Sequence, residues 1–258
     1  MNLCPIIIFC AVIATLCPGA QGAELHAAPY NDLVLNAINA MPGGGGYTTA
    51  PAADAGLERA IDLGWFGLHL TPHKAQPSYC SGATYQVFIS ALQSACERSH
   101  TRMPRSVLRS LLMDFQPDGT GVWGRWNSNG PGTARFFYET GLGYNFEDWS
   151  IAQPGDFLKI FWDENIGKHE HGHSVVFLGR EKSATGSWQV RFWSSNQPDG
   201  YGAKTIPQTD IKRAIFSRLT RPEAITTLPG LAPETYLADM LKRDSNIAEL
   251  RAKTGITR

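Results

Sequence analysis

"QPSYCSGATYQVF", residues 76–88, sets a cysteine directly ahead of Ser81, Gly82 and Ala83 and then opens an apolar pattern. Ala83, Val87, Ala91 and Ala95 recur every four residues, with Phe88 and Leu92 beside them. This spacing predicts a helix with a wide apolar face that begins at Cys80. If one helix runs from Cys80 to Cys96, a rise of 1.5 Å per residue holds the two about 24 Å apart. A disulfide needs Cα atoms within roughly 7 Å of each other. Both thiols are therefore expected to be free, Cys96 as a small buried filler and Cys80 at the mouth of the helix.

A free thiol is unexpected where this chain is expected to reside. Residues 1–23 contain no Lys, Arg, Asp or Glu, and Ile6–Leu16 is an apolar run too short to span a bilayer. With the small residues of "PGAQGAE" following, residues 1–23 read as a signal peptide cleaved near Ala20–Ala23. Residues 24–258 are then expected to form a single secreted or periplasmic domain, large enough for one core. Two cysteines in an oxidising compartment ordinarily pair; the helical periodicity argues that these do not. The 23 basic residues balance the 23 acidic ones, so bulk attraction to nucleic acid or to an acidic membrane is not expected. No second apolar stretch is long enough to cross a membrane, and the expected state is a monomer.

Outward from Cys80, "NDLVLNAINAM" (31–41), capped by Asn31 or Asp32, "DAGLERAIDL" (54–63), "RSVLRSLLMDF" (105–115) and "TARFFYETGLG" (133–143) read as helices, and residues 117–132 as a long loop. The pattern then changes. "DFLKIFW" (156–162), "HSVVFLG" (173–179), "WQVRFWS" (188–194) and "AIFSRL" (214–219) read as strands. "APETYLADMLKR" (232–243) reads as a closing helix, with Pro233 in its first turn. Helices first and an antiparallel sheet later make an α+β fold.

A thiol at a helix N-terminus feels the partial positive charge of unsatisfied backbone N–H groups, which favours the thiolate. Small neighbours admit a substrate carbonyl, and the Cys80 N–H can face a developing oxyanion. The nucleophile needs a base, and His173, opening "HSVVFLG", is the best candidate. On these residues the chain resembles the NlpC-type papain-like cysteine peptidases and their CHAP amidase relatives. "YCSGATYQVF" matches their cysteine-Ser-Gly helix start, "QPGDFLKIFW" their Pro-Gly-Asp turn into the first core strand, and "GHSVVFLG" their histidine-led strand with a glycine six residues on. The three occur in the family's order across about residues 75–200. Where the family usually has Asp before the cysteine, this chain has Tyr79. The resemblance implies a papain-like fold, with the cysteine-bearing central helix packed on an antiparallel sheet. It also implies thiol-dependent cleavage of peptide or amide bonds, commonly in peptidoglycan, with Cys80 as nucleophile and His173 as base. No cofactor is implied. The alternatives are a transglutaminase-like acyltransferase and an inactive envelope binding module.

The residue that orients His173 comes from "RFWSSNQPDGYG" (191–202). Alternation puts Trp188, Val190, Phe192, Ser194 and Asn196 on one face and Gln189, Arg191, Trp193, Ser195 and Gln197 on the other. The first set is the more apolar and is expected to pack toward the Cys80 helix. Asn196 is the choice because Ser194 is shorter; a bulge would substitute Gln197. Three further patterns have competing readings. "HEHGH" could set His169, His171 and His173 on one strand face as metal ligands, though its glycine favours a loop. "PGGGGY" lacks the Lys-Ser/Thr of a phosphate loop and reads as a turn. Trp123 and Trp126, in a polar loop, are the expected rim of a binding cleft.

Overall fold

A computed structural model describes residues 27–257 except position 115. The expected signal peptide, residues 1–23, lies outside the described residues. Helix α1 spans Asn31–Asn39, α2 Pro51–Ala60 and α3 Cys80–Arg98; α4 (Arg105–Ser110), α5 (Trp123–Trp126) and α6 (Gly132–Thr140) follow. The chain ends with α7 (Thr235–Asp239) and α8 (Ile247–Thr254). Seven strands form the main sheet in the order β1 (Gly44–Gly45), β9 (Gly200–Pro207), β8 (Trp188–Asn196), β7 (His173–Lys182), β5 (Phe157–Phe161), β10 (Arg213–Leu219), β4 (Gly143–Phe146). All its strand pairs are antiparallel. Two short ladders stand apart: β2 (Ile61–Leu63) with β3 (Leu68–Leu70), and β6 (Ile166–Gly167) with β11 (Asp244–Ser245). The protein is therefore α+β. No helix among the described residues is long and apolar enough to cross a membrane.

Helix α3 runs unbroken from Cys80 to Arg98, and both cysteines are free. It is buried on more than its apolar stripe, because α1 packs on one side and β7 and β8 on another. Its buried polar side chains are accordingly paired: Thr84 shares a hydrogen bond with Ser174 Oγ at 2.9 Å, and Gln86 donates to the Tyr201 hydroxyl at 3.0 Å. Cys96 is 1 % exposed, and burial pushes its thiol up to about 12, the state of an inert filler.

Several expectations shift. The segment 31–41 is helical to Asn39, but neither Asn31 nor Asp32 caps it. Tyr30 holds that position without a side-chain bond, while Asn31 reaches across to Pro154 O and Asp156 Oδ1. The helix expected over 54–63 begins earlier, with Pro51 in its first turn, and gives way at Ile61 to β2. The 105–115 helix stops at Ser110, where the Gln116 amide takes the Leu112 carbonyl at 2.6 Å. The closing helix shrinks to Thr235–Asp239, and a further one, Ile247–Thr254, follows it.

The loop 117–132 departs most from expectation. It contains α5, and Trp126 is wholly buried, stacked on Phe88 of α3 with ring centroids 4.6 Å apart and edge-on to Phe157 at 5.2 Å. Trp123, 6 % exposed, packs on Tyr85. Neither tryptophan lines the cavities that open on Cys80. In a Gly- and Asn-rich segment these indoles are the main apolar surface available, and folding them inward lets the segment adhere to the helix. Arg125, also fully buried, ties the same segment to the carbonyls of Gly121 and Ala232 and to Glu139.

The Pro-Gly-Asp turn leads into β5 as expected. Gly155 has φ +96°, and a Cβ there would lie 2.5 Å from Asn31 O, so only glycine fits. Asp156 is fully buried and forms a 2.7 Å ion pair with Arg218 of β10, also fully buried.

Candidate active site

Cys80 begins α3 with no side chain capping the helix, leaving the first-turn N–H groups available beside its sulfur. The half-buried thiol is pushed down to about 6. Burial works against this, and the hydrogen bond and positive charge of His173 outweigh it, helped by the charge of Lys159 and the Ser174 backbone N–H. The Cys80 thiol and the His173 imidazole are therefore directly coupled.

His173 is the first residue of β7, opposite Ile160 of β5. On its other side β7 pairs with β8 through Val176 opposite Trp193, and the same register, continued, sets His173 opposite Asn196. Asn196 Oδ1 lies 3.3 Å from His173 Nε2. The imidazole is also held between rings, edge-on to Phe192 and stacked over Trp162. Three expected residues, from a helix start and two strand ends, thus converge.

The reasoning that chose Asn196 needs correction. Trp193, on the other face, joins the core built around α3, and Ser195 donates to Ser78 O just before the helix. Val190 and Phe192 enter a second core with Phe146, Phe216 and Trp149 on the far side of the sheet. Both faces are covered, so apolarity could not tell which one meets the helix. His173 shares the far face with Phe192 but opens its strand at the end where α3 begins, and its ring still meets Cys80. Ser194 points instead to the Ser174 carbonyl at 2.7 Å, and Gln197 is exposed.

The other two histidines of "HEHGH" line a cavity that opens on Cys80 but bond elsewhere. β7 begins only at His173; His169 pairs with Asp244 at 2.6 Å and His171 approaches the Lys168 carbonyl. Among the described residues no group of three or more His, Cys, Asp or Glu could hold a metal ion.

Two adjoining cavities open on Cys80. One, roughly 430 Å³, is lined by Trp162, His173, Asn196 and Gln197; the other, roughly 360 Å³, by Ser81, Asp118, Asn127, Asn129 and Lys159. Tyr47 borders both, its hydroxyl pushed up to about 12 by burial and by the thiolate's charge. Tyr79, at the position where the resembled family has Asp, donates to Asp54 in the second cavity. Sequence reasoning missed Tyr47 and Lys159. A signal existed for the lysine: "DFLKIFW" carries a single cation inside a strand that is buried at every position.

No protein-family model, no curated protein and no solved structure compared with this chain matches it.

Proposed function

We propose that the protein is an exported cysteine hydrolase on the papain-like plan, cleaving peptide or amide bonds, with cell-wall peptides as its substrate class. The observation that carries this reading is the convergence of Cys80, His173 and Asn196 at the mouth of two cavities. In this reading the Cys80 thiolate attacks the substrate carbonyl, and the tetrahedral oxyanion is received by the Cys80 N–H at the open helix terminus. The His173 imidazolium gives its proton to the leaving amine, which departs and leaves a thioester. The same imidazole then takes a proton from water, which attacks the thioester and releases the acid and the free thiol. Asn196 holds the ring in the tautomer this exchange needs.

The test is to incubate purified residues 24–258 with defined muropeptides and with ordinary peptides and to read products by mass spectrometry. Hydrolysed muropeptides, absent with Cys80→Ala, are the expected result. Turnover by folded Cys80→Ala at the wild-type rate would end the cysteine-hydrolase reading. Products joined to an added amine in place of water would assign the site to acyl transfer. A thiol no more reactive than free cysteine, with no product, would make it a binding module.

A further inference from the structure

The second cavity contains a charge to which the hydrolytic reading gives no part beyond its pull on the Cys80 thiol. Lys159 is 4 % exposed, and its ammonium makes one hydrogen bond among the described residues, to the Ser128 carbonyl at 3.4 Å. Burial pulls the ammonium down from its ordinary value, opposed by the charges of Cys80, Asp118 and Glu170, and neither carboxylate forms an ion pair with it among the described residues. Buried ammonium groups are normally paired and fully hydrogen-bonded, because desolvation is costly. The fold nonetheless encloses this one: a Cβ at Gly172 would lie 2.6 Å from Lys159 Cε, so the glycine lets the loop before β7 close over the stem. Lys159 lies opposite Ser174 of β7, and its charge acts on the Cys80 thiol, which borders the same cavity.

The surrounding amides fit an anion. The Ser81 hydroxyl donates to Asn127 Oδ1 at 2.6 Å, which fixes the carboxamide and leaves its N–H groups without a protein acceptor among the described residues. Asn129 lines the same wall. Asp118, on the other hand, carries a carboxyl pushed up by burial, with the Asn129 backbone N–H bonded to it. It is the like charge an incoming anion would meet.

We propose that this cavity is a carboxylate subsite, in which Lys159 and the Asn127 amide hold a free carboxylate on the residue adjoining the scissile bond. The substrate class is then an acidic peptide. This specificity rests on the hydrolase reading, but the subsite can be tested without turnover. Charged and neutral alkylating agents of the same size report it directly: the rate of Cys80 modification by iodoacetate is compared with that by iodoacetamide, at one pH, in wild type, Lys159→Met and Asp118→Asn. The expected result is a wild-type iodoacetate-to-iodoacetamide ratio about tenfold above that of Lys159→Met, a further rise with Asp118→Asn, and slowing of wild-type iodoacetamide modification by acetate but not by acetamide. If Lys159→Met does not fold, the Asp118→Asn ratio and the acetate protection decide. A ratio unchanged by Lys159→Met, or no rise with Asp118→Asn together with no protection by acetate, would overturn the subsite. So would a Lys159→Met variant whose iodoacetamide pH profile moves while its ratio does not, since the lysine would then serve only the thiolate. A protein with the ratio but no hydrolysis keeps the subsite and loses the proposed function; hydrolysis without the ratio does the reverse.

Discussion

Asn196 turns its carboxamide oxygen toward His173 because its nitrogen is committed elsewhere, to the Gly202 carbonyl at 2.9 Å and the Ser194 carbonyl at 3.3 Å. An oxygen facing Nε2 requires that nitrogen to carry the proton and leaves Nδ1 for the thiol. Asn196→Ala should lower kcat about tenfold, the order expected for one orienting hydrogen bond, and Gln197→Ala should do less. Steady-state kinetics on one substrate rank the two; the reverse ranking would show that Gln197 orients the ring.

The acid limb of reactivity follows from the thiol. Its value of about 6 lies below the ordinary thiol value, so the nucleophilic thiolate persists to mildly acidic pH. Protonation as pH falls through about 6 removes it. The rate of iodoacetamide modification and kcat/KM should both drop about tenfold per pH unit below that point. A midpoint near the free-thiol value of about 8.5 would contradict the couple with His173.

The histidines should separate cleanly. His173→Ala should lose about 10²–10⁴-fold in turnover, the range for a positioned acid–base group. His169→Ala, which removes a cavity-wall side chain bonded to Asp244 and not to Cys80, should keep most of it. Both rates are to be taken with a chelator present; activity lost to the chelator and restored by zinc would favour a metal at the three histidines.

The Asp156–Arg218 pair should dominate stability near the site. With both side chains fully buried, Arg218→Met leaves a carboxylate without its counter-charge, which costs about 3–5 kcal/mol when a buried pair is broken. Urea unfolding measures it. A loss under about 1 kcal/mol would mean that the turn into β5 is held by Asn31 and the backbone alone.

Much of this was legible in the sequence. The period of four from Ala83 to Ala95 fixes α3, and with it the separation of the cysteines. Pro154–Gly155–Asp156 and His173 mark their strand starts. Asn246 caps α8 by accepting from the Glu249 N–H three residues on, a start signal that the reading of 232–243 as the closing helix passed over. What sequence could not supply is tertiary. β9, "GYGAKTIP", has the glycines and proline of a turn, yet β8 pairs with it along eight positions. The inward folding of Trp126 depends on Phe88 being there to receive it. Which face of β8 meets the helix depends on what covers the other face, and Trp149 and Phe146 do so from outside the strand.

Residues 117–132 give the protein a part whose two sides answer to different demands. Arg125 and Trp126 are held by the interior, whereas Asp118, Asn127 and Asn129 meet whatever enters the second cavity. Neighbours such as Trp126 and Asn127 are thus under separate constraints, one from folding and one from recognition. Substitutions at the cavity-facing positions can retune which molecules are accepted while the anchoring indole and guanidinium keep the scaffold unchanged.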